Sequence, residues 1–192
     1  MQLDKKKSIN EISEVKNMEL SLKEKNKIPL ETQKFLLQMC MAQWDAQWYL
    51  KSKKRFGIEI ANELNKQVVS AFAKIEARHV LNALGIKKGS IKTIPEVFKI
   101  MNTIMDVIIP KIMKFKMIIH SDSEGNGIVK KCFIWEEVKK AKGEKDYICA
   151  CNVRHRGWLD AMGIRGEIVP LKRFPDGDNE CIFKFIMKNN DS

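Results

Sequence analysis

The hydrophobic and polar positions of the first half of the chain alternate with a helical period. In the segment 32–57, large apolar side chains recur three or four positions apart, the spacing that lines one face of a helix. The residues in this pattern are Leu37, Met41, Trp44 and Trp48. The two tryptophans are expected to anchor a core. The same spacing predicts further helices over residues 58–85 and 93–109.

After Pro110 the pattern changes to short apolar runs around turn residues, which indicate β-hairpins. The predicted strands are 114–121, 127–135, 166–174 and 180–188, and helices are predicted over 136–143 and 147–163. This order favours the α+β class, with N-terminal helices followed by two β-hairpins that form an antiparallel sheet covered by helices.

The domain organisation follows from the same pattern. Residues 1–27 are rich in Lys and Glu and poor in large apolar groups, so they are expected to be a flexible arm. Residues 28–192 are predicted to form one α+β domain, with a helical part over 28–110 and a sheet-containing part over 111–192.

The net charge of the chain excludes few classes of binding partner. The chain of 192 residues carries a net charge of +11, which attracts polyanions in general. Acidic residues are interspersed with the basic ones and no nucleic-acid-binding motif is present, so nucleic-acid binding is not favoured. Neither a secretory leader nor an apolar run of the ~18 residues that a membrane span needs is found. We therefore expect a cytoplasmic protein without a membrane segment.

The five cysteines are the main candidates for chemistry. Disulfides are not expected in the cytoplasm. Cys132 falls within the second predicted strand and Cys181 opens the fourth, while Cys149 and Cys151 stand near the start of the helix between the hairpins. If the hairpins share one sheet, these four thiols meet. They could be packing residues, reactive thiols, or zinc or iron ligands, and the sequence leaves all three open.

Several neighbours could assist this thiol chemistry. Cys149 lies nearest the predicted helix start, where the helix dipole favours a thiolate. His155 is one turn after Cys151 and is a candidate base. A separate Glu76-x-x-His79 pair has the spacing of a helical metal site. Such a site needs matching ligands from other helices, and the chain has only three histidines. A solvated Glu76 with His79 against the core is therefore the favoured interpretation.

Short motifs point to a family. The segment GDNECIFKF, residues 177–185, resembles the closing G-x-x-x-C-x-F-x-F signature of L-2-amino-thiazoline-4-carboxylic acid hydrolase-like proteins. Cys149 and Asn152 resemble the C-x-x-[DN] element of that family, although an acid is commoner at Asn152 and Cys151 is an extra thiol. With related helical motifs, the resemblance spans residues 32–187 and implies a bacterial cytoplasmic protein.

The resemblance implies hydrolysis of a C–N bond in a small cyclic amidine or amide, with no cofactor required. Cys149 would be the nucleophile, Arg156 would stabilise its thiolate or a substrate carboxylate, and Asn152 would orient the substrate or donate to an oxyanion. The family also looks similar to vinyl-reductase-type ligand-binding domains. The alternative is therefore a non-enzymatic sensor or binding module that holds a metal or a small apolar ligand. A homodimer formed through the helical half is left open.

Overall fold

A computed structural model describes residues 28–188. The described residues fall into two units that divide between Leu36 and Leu37. The predicted arm, 1–27, lies outside the described residues. In the described part of the first unit, the Gln33 side-chain amide donates to the Ile28 carbonyl at 2.6 Å.

Five α-helices are seen in the described part of the chain. They are α1 (Leu30–Phe56), α2 (Ile58–Ala83), α3 (Ile94–Ile108), α4 (Phe133–Lys140) and α5 (Cys151–Met162). Gly57, with φ +87°, separates α1 from α2. Thr93 and Glu96 form a capping box that begins α3, and Gly163 in a left-handed conformation ends α5. No helix within residues 28–188 is both long and apolar enough to cross a membrane.

Four strands form one antiparallel sheet in the order β1-β2-β4-β3. They are β1 (Lys114–Ile119), β2 (Glu124–Lys131), β3 (Gly166–Lys172) and β4 (Cys181–Met187). The two hairpins therefore join through β2 and β4. This confirms the predicted α+β fold, in which N-terminal helices precede a sheet covered by helices.

The core lies between one face of the sheet and the helices. Alternate residues of β4, Cys181, Phe183 and Phe185, are buried, as the period of a strand requires. They belong to the same apolar cluster as the buried face of α3 and as Trp158 on α5. The position of α5 in this cluster sets the position of the thiols at its N-terminus.

The interface between α2 and α5 contains a buried charge. Glu76 on α2 is 4% exposed, and its carboxylate accepts hydrogen bonds from Arg154 at 2.9 Å and from the Trp158 indole at 2.8 Å. His79 is exposed. The interpretation of a solvated Glu76 with His79 against the core is therefore wrong, because the carboxylate has partners on α5 that only the tertiary fold supplies.

Two further expectations are corrected. Trp44 and Trp48 do not anchor the core, since their side chains are 73% and 38% exposed. Cys132 does not lie within a strand, because β2 ends at Lys131 and α4 begins at Phe133. Cys132 instead caps α4, where its sulfur accepts a hydrogen bond from the Trp135 amide at 3.5 Å.

Candidate functional site

The fold brings four cysteines to one small cavity of about 30 Å³. Cys132 reaches it from the start of α4, Cys181 from the start of β4, and Cys149 and Cys151 from the start of α5. The Cys181 sulfur also accepts a hydrogen bond from the Phe174 amide at 3.3 Å. We call these residues the four-thiol group. The sequence predicts that these four thiols meet if the hairpins share one sheet, and in the structure they do line one cavity. The other residues that line this cavity are apolar or aromatic.

Cys149 differs from the other members of the four-thiol group in its ionisation. The Cys151 thiol donates a hydrogen bond to its sulfur, and the Cys151 backbone amide donates a second. With the nearby Arg173 guanidinium, these interactions lower the Cys149 pKa to about 7 against the opposing effect of burial. A large fraction of Cys149 is thus a thiolate at neutral pH, which is the nucleophilic form of cysteine.

The other three thiols stay protonated at neutral pH. The hydrogen bond to Cys149, together with burial, raises the pKa of Cys151. Burial raises the pKa of Cys132, and it raises that of Cys181 to about 11. One nucleophilic thiol therefore stands among three neutral ones.

Next to the thiol cavity is a larger cleft of about 800 Å³ between α1 and the segment that runs from α4 to Tyr147. Its volume lies in the range of about 300–1,000 Å³ that small-molecule sites occupy. Apolar wall residues come from both sides: Met39, Ala42, Ala46, Leu50, Phe133, Ile134, Val138 and Ala141. Burial raises the pKa of the Asp45 carboxyl in this wall, although Arg154 opposes the shift. The cleft therefore suits an apolar ligand.

Ile134 and Tyr147 line both the cleft and the thiol cavity. Burial raises the pKa of the Tyr147 hydroxyl, so this side chain is neutral. Its ring packs edge-on against Tyr49 with centroids 5.6 Å apart. The two spaces thus share walls, and a molecule attached to a thiol could extend towards the cleft past these two side chains.

Asn62 on α2 positions the loop that carries Cys149, a role that the sequence analysis missed. Its buried side chain donates to the Asp146 carbonyl at 2.8 Å and accepts from the Ile148 amide at 3.2 Å and from the Tyr49 hydroxyl at 2.9 Å. An asparagine inside a helical pattern gives no sequence signal for this role. Its two partners in the loop, Asp146 and Ile148, are more than 80 residues away in the sequence.

The other predicted site residues do not join the four-thiol group. Asn152 is exposed and does not line the thiol cavity. The Arg156 guanidinium bonds to the Asp160 carboxylate and to the carbonyls of Ile164 and Gly166. The charged neighbour of Cys149 is instead Arg173.

His155 is not suited to act as the base for Cys151. Its ring packs against those of Trp158, Phe183 and Phe185. Burial, with a smaller contribution from Arg154, lowers its pKa to about 3. The imidazole is therefore neutral and too weak a base to take a proton from a thiol near pH 7.

A metal at the four-thiol group stays a prediction. Within residues 28–188, no group of three or more His, Cys, Asp or Glu side chains is arranged to hold a metal ion. A zinc site there would require the sulfurs to move into a tetrahedron with Zn–S distances of about 2.3 Å. Elemental analysis of anaerobically purified protein tests this prediction directly.

No protein-family model and no curated protein matches the sequence. Among solved structures, the fold is similar to that of a subunit of a trafficking protein particle complex. The similar structure is trafficking protein particle complex subunit 3 from Naegleria fowleri, which was crystallised covalently bound to palmitic acid. The TM-score is 0.51 at 12% sequence identity, and the match covers 83% of this chain and 97% of that chain. At this identity the likeness establishes the fold alone.

This finding corrects the expected family and function. The structural neighbour is a trafficking complex subunit and not an amino-thiazoline hydrolase, so the hydrolase and bacterial expectations are wrong. The geometry also argues against the predicted hydrolase site, because neither Asn152 nor Arg156 joins the four-thiol group that contains Cys149.

Proposed function

We propose that this protein is a non-catalytic subunit of a vesicle-trafficking assembly and that it holds a long acyl chain as a thioester on Cys149. The chain of the acyl group occupies the cleft between α1 and α4. The protein acts in the cytoplasm or at the Golgi surface, where protein partners and not a substrate are its main ligands. The fold it shares with a palmitate-bound trafficking subunit supports this role.

The observation that carries the proposal is the shared wall of the two spaces. Ile134 and Tyr147 line both the cavity that holds the Cys149 thiol and the mainly apolar cleft, so the two spaces adjoin at these side chains. Each methylene that enters the cleft contributes about 0.8 kcal/mol. A long acyl chain therefore favours occupation of the cleft more than a short one does.

The reaction needs no catalytic apparatus beyond an ionised thiol. The Cys149 thiolate attacks the carbonyl carbon of an acyl-coenzyme A thioester, a new C–S bond forms, and the coenzyme A thiolate leaves. One thioester replaces another, so neither an oxidant nor a reductant takes part. The product remains bound, which is the behaviour of a stoichiometric ligand and not of a turnover enzyme.

The first experiment incubates the full chain with palmitoyl-coenzyme A at neutral pH and follows the intact mass. We expect a gain of one palmitoyl group that hydroxylamine removes, because hydroxylamine cleaves thioesters. The Cys149→Ser variant should not gain this mass. The matched control, Cys40→Ser, changes an exposed thiol on α1 and should load like the natural chain. Equal loading of the Cys149→Ser variant would refute the assigned residue.

A second experiment tests the cleft separately from the thiol. Ala46 lines the cleft, so Ala46→Trp should fill part of it and shift acceptance from palmitoyl to lauroyl chains. Ala83 is exposed at the end of α2, so Ala83→Trp is a control of equal added volume. If both variants take palmitoyl chains as the natural protein does, the acyl chain does not occupy this cleft.

The trafficking role is tested in cells that depend on the protein. Depletion should slow the arrival of a secretory cargo at the Golgi. The natural chain should restore the rate, and the Cys149→Ser variant should restore it less well. Unchanged cargo passage after complete depletion would contradict the trafficking role without bearing on acyl binding.

A further inference from the structure

Cys149 and Cys151 lie side by side at the start of α5, separated in the chain by the buried Ala150. Their two sulfurs are hydrogen-bonded to each other. Ala150 has φ −92° and ψ 9°, a compact conformation close to that of a helix, in which Cα atoms two residues apart are about 5.5 Å apart. Disulfides join residues whose Cα atoms are about 4.4–6.8 Å apart. The backbone therefore permits a bond between these two sulfurs.

Cys132 and Cys181 are less suited to form a bond with Cys149. Each of their sulfurs accepts a hydrogen bond from a backbone amide. Cys132 caps α4 and Cys181 begins β4, so a new bond to either sulfur would have to move a helix or a strand. Residues 147–150 lie outside helices and strands, and this loop can adjust without such a movement. Cys151 is therefore the member of the four-thiol group best placed to bond to Cys149.

The thiol cavity is large enough for a small oxidant. Its volume of about 30 Å³ exceeds the roughly 10–15 Å³ that one water molecule requires, and hydrogen peroxide is only one oxygen atom larger than water. Cys149 lines this cavity and is half-buried. Cysteines that respond to peroxide combine thiolate character with access and with a second thiol nearby. Cys149 meets all three conditions.

We propose that Cys149 and Cys151 form a peroxide-responsive pair, in which hydrogen peroxide oxidises Cys149 and Cys151 closes a disulfide with it. In the first step the Cys149 thiolate attacks one peroxide oxygen. An S–O bond forms, the O–O bond breaks, and the hydroxide that leaves takes a proton from solvent.

In the second step the Cys151 sulfur attacks the sulfur of the Cys149 sulfenic acid. An S–S bond forms, the S–O bond breaks, and the hydroxyl group leaves as water with the proton of the Cys151 thiol. One peroxide molecule is thus reduced to two water molecules, and two thiols are oxidised to one disulfide.

The ionisation of the pair supports this order of steps. While Cys149 is a thiolate, its hydrogen bond with Cys151, together with burial and its charge, raises the Cys151 pKa and keeps Cys151 protonated. Conversion of Cys149 to a neutral sulfenic acid removes that charge and weakens that hydrogen bond. The Cys151 pKa then falls, so the attacking thiolate becomes available only after Cys149 has been oxidised.

Oxidation and acylation compete for the same sulfur. A disulfide leaves Cys149 no thiolate with which to accept an acyl group, and an acyl group leaves it no thiol to oxidise. Peroxide therefore controls acyl loading, a consequence that rests on the acyl-holding role proposed above, whereas the disulfide itself does not depend on that role. A small cellular thiol reverses the disulfide by exchange.

The experiment treats the reduced full chain with hydrogen peroxide at neutral pH and analyses its tryptic peptides without reduction. Cleavage after Lys145 and Arg154 gives one peptide, 146–154, that contains both Cys149 and Cys151. We expect this peptide to become two hydrogen atoms lighter and to resist iodoacetamide, and dithiothreitol should reverse both changes. Cys40→Ser, which removes an exposed thiol, is the matched control and should behave like the natural chain.

Cys151→Ser separates the two steps. Oxidation of this variant should stop at the sulfenic acid on Cys149, which dimedone traps, whereas the natural chain should react with little dimedone. If peroxide leaves peptide 146–154 of the natural chain as the dithiol, the proposal is wrong. It is also wrong if Cys149 becomes linked to Cys132 or to Cys181 instead.

Palmitoyl-coenzyme A distinguishes this proposal from the acyl-holding role. Loading of the natural chain should fall in proportion to the disulfide formed, and equal loading after complete conversion would overturn the control by peroxide. Reduced protein that loads normally but forms no disulfide would overturn the peroxide-responsive pair alone. A disulfide that forms in protein whose reduced form takes no acyl group would support the pair and contradict the acyl-holding role.

Discussion

At the scale of single residues, Cys149 owes its ionisation to neighbours from two parts of the chain. The hydrogen bonds from Cys151 are local, and the sequence pattern placed Cys149 correctly near the helix start. Arg173, by contrast, comes from beyond β3. Arg156 was predicted for this role because it is close in sequence, but it bonds to Asp160 instead. Sequence distance alone could not distinguish the two arginines.

The pKa of Cys149 predicts how its reactivity depends on pH. Because the folded-state pKa is lowered to about 7, the rate of alkylation by iodoacetamide should rise with pH through a midpoint near 7 and should fall away in acid. Mass spectrometry of tryptic peptides measures this rate for Cys149 and for Cys40 in the same sample. At pH 7, Cys149 should react faster than Cys40 does.

Arg173→Ala provides the mechanistic control for this prediction. Loss of the guanidinium should raise the Cys149 pKa, so the midpoint should move to higher pH. A Cys149 that reacts no faster than Cys40 at neutral pH, in the natural chain, would show that the thiol is not activated.

Glu76 makes a residue-scale prediction about stability. Glu76→Ala leaves the Arg154 guanidinium and the Trp158 indole without their carboxylate partner, and breaking a buried pair costs about 3 kcal/mol. We expect this loss in the free energy of unfolding, measured by urea titration. Glu63→Ala, an exposed site on the same helix, should change it by less than about 0.5 kcal/mol. Similar values for the two variants would contradict the structural role of Glu76.

At the scale of helices and strands, the apolar pattern predicted most elements but missed some boundaries. The four-residue run from Cys132 to Trp135 has strand-like composition, yet it begins α4. The Cys132 sulfur caps that helix, and a cysteine cap is not a recognised sequence signal. The pattern also cannot tell which apolar face of a helix is buried. In α2 the small residues Ala73 and Ala77 are buried, while the larger residues Val68, Phe72 and Ile75 are exposed.

The close approach of α2 and α5 gives an element-scale prediction. A Cβ atom on Gly157 would lie 2.7 Å from the Ala73 Cβ and 3.0 Å from the Ser70 carbonyl oxygen. Gly157→Ala should therefore push the helices apart and lower the free energy of unfolding by at least about 1 kcal/mol, despite the better helix propensity of alanine.

Gly143→Ala is the matched control for the helix contact. A Cβ atom at Gly143 would meet neighbours at 3.5 and 3.6 Å, which are ordinary contact distances. The midpoint of thermal unfolding of the Gly143→Ala variant should stay close to that of the natural chain. If Gly157→Ala is as stable as Gly143→Ala, the two helices are not in the close contact described.

At the scale of the whole molecule, the α+β fold and the meeting of the four thiols could be predicted, but the function could not. The shared sheet carries Cys181, and Cys132 directly follows the end of β2 as the cap of α4, so both lie with Cys149 and Cys151 at one cavity. The cleft depends on how α1 lies beside α4, and no local pattern encodes that arrangement. Without the cleft, a cysteine-lined pocket suggests catalysis. The cleft is what leads us to propose an acyl-holding subunit instead.

We propose that Cys149 carries an acyl chain in the working protein. Its most direct test is mass spectrometry of the full chain isolated without reducing agents from the cells that make it. We expect a long-chain acyl group on the peptide containing Cys149, removable by hydroxylamine. A Cys149 found entirely as the free thiol, in protein whose sequence is otherwise fully recovered, would contradict it.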